Sequence, residues 1–266
     1  MPNTVHSLFQ DKFVNADDVI KCLSEFENKC LETGDLRGVF ATAYLHITRN
    51  INTAIQNREF RDNEWSVAYL VRFANLYREA VLNYETALLT RIPKSWILSF
   101  DLAKEKEGLI IQHLLLGINA HINHDLSIAL FDVSIDPHRK NKYHDHNLVN
   151  HILEKATETL KKEVSRKYAP VLSRLDRKTG HISDDVTSFS IPKARDHAWS
   201  FAVALTLAKR ESEQTMIRKV IDDQAAVLAR LILASPTRDH RFTRSVSFLK
   251  SLDKRLTGFK YLFRKN

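Results

Sequence analysis

Apolar residues recur along most of the chain three and four positions apart, and sustained two-residue alternation is nearly absent, so the pattern predicts helices throughout. From Asn15, a residue suited to capping, Val19, Leu23, Phe26 and Cys30 fall on one face, and Gly34 stops the pattern. Asp35 can cap a second helix reaching about Gln56, with Val39, Phe40, Ala43, Tyr44 and Ile47 on its apolar side. A third starts after Asp62 and carries Trp65, Tyr69, Arg72, Phe73, Leu76, Tyr77 and Ala80. Pro93 opens a short helix containing Trp96 and Phe100. Asp136 to His144 reads as a charged loop around Pro137, with a helix resuming near Asp145 and continuing to about Arg166. Lys178 to Pro192 is the largest irregular connection, with faint β character over 182–191. Helices at about 193–211 and 213–234 follow, and Pro236 separates the remainder.

The longest apolar stretch runs from Leu109 to Phe131. By length it could span a bilayer, yet Gln112, His113, Asn119, His121, Asn123, His124 and Asp125 fall inside it, at a high cost in lipid. It reads instead as the central helix of a bundle, buried on most sides.

Composition agrees with an all-α fold. Glycine and proline number six each in 266 residues, too few for the turns of an all-β chain or the phosphate loop of a dinucleotide-binding fold. The expected architecture is one helical-bundle domain over residues 1–236 and a basic amphipathic tail over 237–266. Cys22 and Cys30 lie eight residues apart in one helix, about 12 Å along its axis, too far for a disulfide. Two core thiols, and an opening segment without a cationic stretch leading into an apolar run, lead to the expectation of a cytoplasmic protein.

Charge is uneven. Residues 238–266 hold nine Lys/Arg against Asp239 and Asp253, a balance of +7 out of the chain's +8. Phe242, Val246, Leu249, Leu252 and Leu256 recur there at helical spacing. Such a tail can dock on the protein body or lie on an anionic membrane surface as a peripheral contact. Nucleic acid is disfavoured, because no recognised module precedes the basic run and the body is near neutral.

Candidate chemistry concentrates in the central helix. His121 and Asp125 are one turn apart, with Gly117 and His113 on earlier turns and His124 alongside. A His and an Asp so placed can share a divalent metal (zinc, iron or manganese), or the carboxylate can orient the imidazole. A buried hydrogen-bond network without function is the third reading. Gly117 is unfavourable inside a helix, which predicts a close approach there by another backbone or a ligand. His46 and Asn50, also four apart, can face this helix, making His46 a further metal candidate and Asn50 a ligand contact. Arg72 with Tyr77, and Arg195 with Trp199, each set a cation beside an aromatic and can grip an anionic or planar ligand. In His144-Asp-His-Asn147, Asp145 reads as a helix cap and His144 and His146 as solvated. Walker, GxGxxG, GxSxG, HExxH and CxxC motifs are missing, and the central helix has no glutamate for a di-iron site.

The run Gln112-His-Leu-Leu-Leu-Gly-Ile-Asn-Ala-His-Ile-Asn-His-Asp-Leu126 resembles the signature of the family called domain of unknown function 5995. Asp35-Leu-Arg-Gly-Val-Phe40, Phe73-Ala74 with Tyr77, Pro93 with Trp96, Asp145 with Asn150 and Arg195 with Trp199 extend the resemblance over about 35–205. It implies an all-helical fold and a shared site at Asn119, His121 and Asp125. A weaker similarity links His121-x-x-x-Asp125 to the metal helix of helical zinc-dependent phospholipases C and nucleases, although Phe131 stands where they place a further histidine.

Two functions follow as expectations. One is an enzyme acting on a small or lipid-like molecule in the bundle core, with His121 as base or metal ligand, Asp125 as orienter or co-ligand and Asn119 as a polar contact; metal-assisted hydrolysis is its leading reaction. The other is a non-catalytic ligand- or membrane-binding protein whose polar core helix is structural.

Overall fold

The computed structural model describes residues 4–175 and 190–234, and every regular element among them is helical. After α1 (Thr4–Leu8), Asn15 accepts the Asp18 N–H at 2.8 Å and starts α2 (Ala16–Thr33). Gly34, at φ +67°, ends it in the left-handed conformation, its N–H on the Cys30 carbonyl. Asp35 caps α3 (Arg37–Gln56) from one residue outside the expected position, accepting the Arg37 N–H at 2.9 Å. Asp62 caps α4 (Asn63–Glu85) through the Trp65 N–H, and Pro93 precedes α5 (Lys94–Glu105).

The central stretch is one continuous helical column in three parts: α6 (Ile110–Asn119), a single π-helical turn (Ala120–Asp125) and α7 (Leu126–Asp132). Its burial matches the sequence expectation. The π turn does not, because that pattern carries no mark of a locally widened turn. Helices α4 and α5 pack against it, as do the later helices α9 (Ile191–Leu207) and α10 (Glu211–Ala234).

Between them, α8 (Arg139–Leu175) differs from expectation. It begins six residues before Asp145, inside the segment read as a charged loop, and continues through Pro170. Asp136 stabilises this early start by pairing with Arg139 at 2.6 Å. Asp145 therefore lies within the helix rather than at its edge. Helices α3 and α8 run antiparallel, Thr42 facing Tyr168 and His46 facing Glu163.

One apolar core unites these helices, with a small satellite of Ile128, Leu205 and Ile221. Gly117 meets Phe40: a Cβ there would sit 2.4–2.6 Å from that side chain. The close approach is thus made by an aromatic side chain of α3 rather than by the expected backbone or ligand. Cys22 and Cys30 are free and buried. Among the described residues no helix is long and apolar enough to cross a membrane. The basic tail at 237–266 and most of the faintly β segment 182–191 lie outside the described residues; Ile191 itself opens α9.

Candidate functional site

The π turn places His121 and Asp125 together, both almost fully buried. Asp125 accepts three hydrogen bonds: from Trp96 Nε1 at 2.9 Å and His121 Nδ1 at 3.1 Å, both to Oδ2, and from His124 Nδ1 at 2.8 Å to Oδ1. Burial opposes its ionisation, but the bonds from His121 and His124 outweigh burial and hold its carboxyl below the usual range. An ionised carboxylate only accepts, so the His121 proton sits on Nδ1 and Nε2 carries the lone pair. That Nε2 is buried and has no hydrogen-bond partner. Burial lowers the His121 pKa despite Asp125, so the ring is neutral at pH 7.

Aromatic rings fix the imidazole. Phe73 stacks on it at 3.5 Å and 9°, and Tyr44 meets it edge-on at 4.4 Å. Phe40, Trp96 and Tyr77 complete the surround at 5.6–6.2 Å. An unpaired buried nitrogen is a standing cost of about 1–3 kcal/mol unless something bonds it.

His121 also forms part of the wall of a cavity of about 130 Å³ between α3, α4, α6, α8 and the start of α9. The lining is mostly apolar, including Ile47, Ile51, Leu70, Leu114, Ile118 and Val149. On α8 it follows one stripe from Asp145 to Val164, about 28 Å of helix, so the space is elongated.

A second polar cluster stands on the same wall. Arg195 is buried and donates from Nε to Asn150 Oδ1 at 2.8 Å and from Nη2 to the His146 carbonyl at 2.6 Å. Nη2 also lies 3.3 Å from His146 Nδ1, and the Tyr69 hydroxyl approaches the same nitrogen at 3.3 Å. His146 Nε2 faces the Arg195 carbonyl at 3.1 Å, which assigns the proton to Nε2 and leaves Nδ1 as acceptor. Burial first, then the Arg195 charge, drives the His146 pKa well down.

These positions correct two readings. His146 is fully buried rather than solvated. Asp145 does not cap its own helix: it bridges to the start of α4, accepting the Arg61 N–H at 3.0 Å and the Asp62 N–H at 2.7 Å. Sequence reasoning also missed Tyr69, Tyr44 and Trp96 as site groups. The four-residue step from His146 to Asn150, beside Val149 and Leu153, was the available signal for a buried face of α8.

The remaining candidates scatter. Asn119 is buried away from the cavity, tying Nδ2 to the Ala225 carbonyl at 2.9 Å and Oδ1 to Asn123 at 3.0 Å. His113 bonds the Glu107 carbonyl at 2.8 Å, and burial lowers its pKa to about 4. His46 pairs with Glu163 at 3.1 Å, and Asn50 bonds the His46 carbonyl of its own helix. Arg72 pairs with Asp132 at 2.8 Å and Glu79 at 3.0 Å, whereas Tyr77 is in the core with its hydroxyl unpaired, so the two form no common grip. Trp199 packs over His146 at 5.3 Å, supporting the Arg195 cluster from behind.

The expected metal set of His121, Asp125, His113, His124 and His46 does not fit this arrangement. Asp125 already accepts from three donors, and His113 and His46 are engaged elsewhere. Among the described residues no group of three or more His, Cys, Asp or Glu is placed to hold a metal ion.

No curated protein and no solved structure matches the chain. Over residues 16–235, which include both polar clusters and the cavity between them, it matches the Family of unknown function (DUF5995), and the chain belongs to that family.

Proposed function

We propose that the protein is an enzyme that uses His121 as a general base on a small or lipid-like molecule held in the core cavity. One observation carries this reading: a neutral imidazole, oriented through Nδ1 by an ionised carboxylate, keeps a buried and unpartnered Nε2 on a ring that helps to line a cavity. Nε2 takes a proton from the bound molecule, or from water beside it. Asp125 stabilises the imidazolium that forms, and the proton is returned to product. Trp96 and His124 keep Asp125 in place and ionised, and Phe73 holds the ring plane. Because burial keeps the ring unprotonated at neutral pH, the base is ready without a prior deprotonation.

The mostly apolar lining also favours a second reading, a non-catalytic binding protein for the same class of molecule. One experiment separates them. Purified protein is incubated with a small-molecule cell extract, and compounds are followed by mass spectrometry. The enzyme reading expects a compound consumed by wild type and consumed about 10²–10⁴-fold more slowly by His121→Gln. A compound retained on the protein but never converted supports the binding reading and ends the first.

A further inference from the structure

Arg195 presents an electrostatic problem that the fold leaves open. Its guanidinium is buried, and its hydrogen-bond partners, Asn150, His146 and Tyr69, are all neutral. Among the described residues no carboxylate lies within ion-pair distance of it. Asp196, next in the chain, acts on it only at longer range and bonds the Tyr143 hydroxyl. Asp145 shares the cavity wall, but its oxygens are taken by two backbone N–H groups at the start of α4 and by His144. An isolated buried cation is costly, and such charges are ordinarily paired. Among the described residues nothing supplies a counter-anion at contact distance, and Arg195 is one of the residues that line the cavity.

We propose that the cavity binds a medium-chain monocarboxylate, its head group paired with Arg195 beside the Tyr69 hydroxyl and its carbon chain along the apolar stripe of α8. Charge sets the orientation. Among the described residues Arg195 is hydrogen-bonded by neutral groups alone, with Asp196 acting at longer range, whereas Asp125, bonded to two histidines and Trp96, leaves a negative charge beside His121. A carboxylate is drawn to the first and repelled from the second. Among the described residues that line the cavity, Arg195 is the cation without an ion-pair partner, which calls for a monoanion, and the planar fork of arginine suits a carboxylate. Volume and shape set the rest: about 130 Å³ in an elongated space excludes a large ring system and accepts an extended chain whose end reaches the half-buried Leu153, Thr157 and Leu160. Tyr69 and Phe73, one turn apart on α4 with ring centroids 6.1 Å apart, link this head-group position to His121. The inference names the substrate class for the enzyme reading, yet it concerns binding and stands or falls without turnover.

Calorimetric titration of the full chain with octanoate, 1-octanol and octyl phosphate tests it. Octanoate is expected to bind at least about tenfold more tightly than octanol. His121→Gln should keep that preference, so a lost activity with retained binding would point at the catalytic reading alone. Arg195→Gln should abolish the preference while leaving octanol binding in place. Should that variant fold poorly, Tyr69→Phe, which retains the ring, is expected to reduce octanoate affinity several-fold and octanol affinity not at all. Equal affinity of wild type for octanoate and octanol, no binding of octanoate, or tighter binding of octyl phosphate than of octanoate would each overturn the proposal.

Discussion

Two polar clusters share one apolar cavity and solve the burial of charge in opposite ways. Around Asp125, an anion is surrounded by three donors, and the leftover capacity is a lone pair on His121 Nε2. Around Arg195, a cation is surrounded by neutral acceptors, and the leftover is charge. The first arrangement suits proton transfer, because a base needs an unpaired nitrogen and a fixed counter-charge behind it. The second suits recognition, because a buried guanidinium without a carboxylate partner among the described residues is the charge that an added anion would complement. Their common wall on α4, with Tyr69 at one end and Phe73 at the other, explains how one bound molecule could engage both.

The largest effect that separates the clusters is on stability. Asp125→Ala strands two buried donors, on Trp96 and His121, and a half-buried one on His124, and should cost about 3–5 kcal/mol in denaturant unfolding. Arg195→Met removes a charge from neutral partners and strands acceptors only, so about 1–3 kcal/mol is expected. An Arg195→Met variant as unstable as Asp125→Ala would mean that the guanidinium has an internal counter-charge and that the contrast is wrong.

Acid sharpens the picture next. His113, His121 and His146 all have folded pKa values below the unfolded value of about 6.5. The native state therefore binds fewer protons than the unfolded chain, and stability present above pH 6.5 is lost as pH falls towards the folded values. For His113, whose pKa is about 4, the loss between those limits is on the order of 3 kcal/mol. Urea unfolding at pH 7, 6, 5 and 4 should show this decline, and His113→Gln should shallow it. A flat profile would show that these rings take up protons in the native state as they do in the unfolded chain.

A smaller effect probes the packing behind the base. Gly117→Ala pushes a methyl group into Phe40, which itself touches His121, and should cost about 1–3 kcal/mol. Phe40→Leu in the same chain should recover part of that cost, and no recovery would mean the strain arises elsewhere. Smallest of all, Arg72→Ala breaks only partly exposed pairs with Asp132 and Glu79 and should change stability by less than about 1 kcal/mol. A larger loss would make Arg72 part of the core network.

The periodicity of apolar positions, with caps at Asn15 and Asp62, the stop at Gly34 and Pro93 before α5, was enough to place most helices, because those signals act within one turn. The polar run in the Leu109–Phe131 column marked the position of His121 and Asp125 for a different reason: buried polar groups stand out against leucines. What the sequence left hidden is long-range. The partner of Asp125 on α5, Trp96, is 29 residues away, and the acceptors of Arg195 lie 45–49 residues away on α8. No spacing rule joins such positions. The His144–Asn147 tract misled because polar residues beside a proline-containing loop resemble a solvated helix start, whereas α8 begins earlier and turns His146 inwards. Asn119 misled in the other direction, its amide serving a bond to α10.

The proposed role of His121 depends most on where its ring carries the proton. Nitrogen NMR of protein labelled with ¹⁵N-histidine, assigned by comparison with His121→Gln, reads it directly. At pH 7 the His121 signal should show a protonated Nδ1 and an unprotonated, pyridine-like Nε2, persisting below pH 6.5. An imidazolium at pH 7, or a ring carrying its proton on Nε2, would contradict the assignment of His121 as a base.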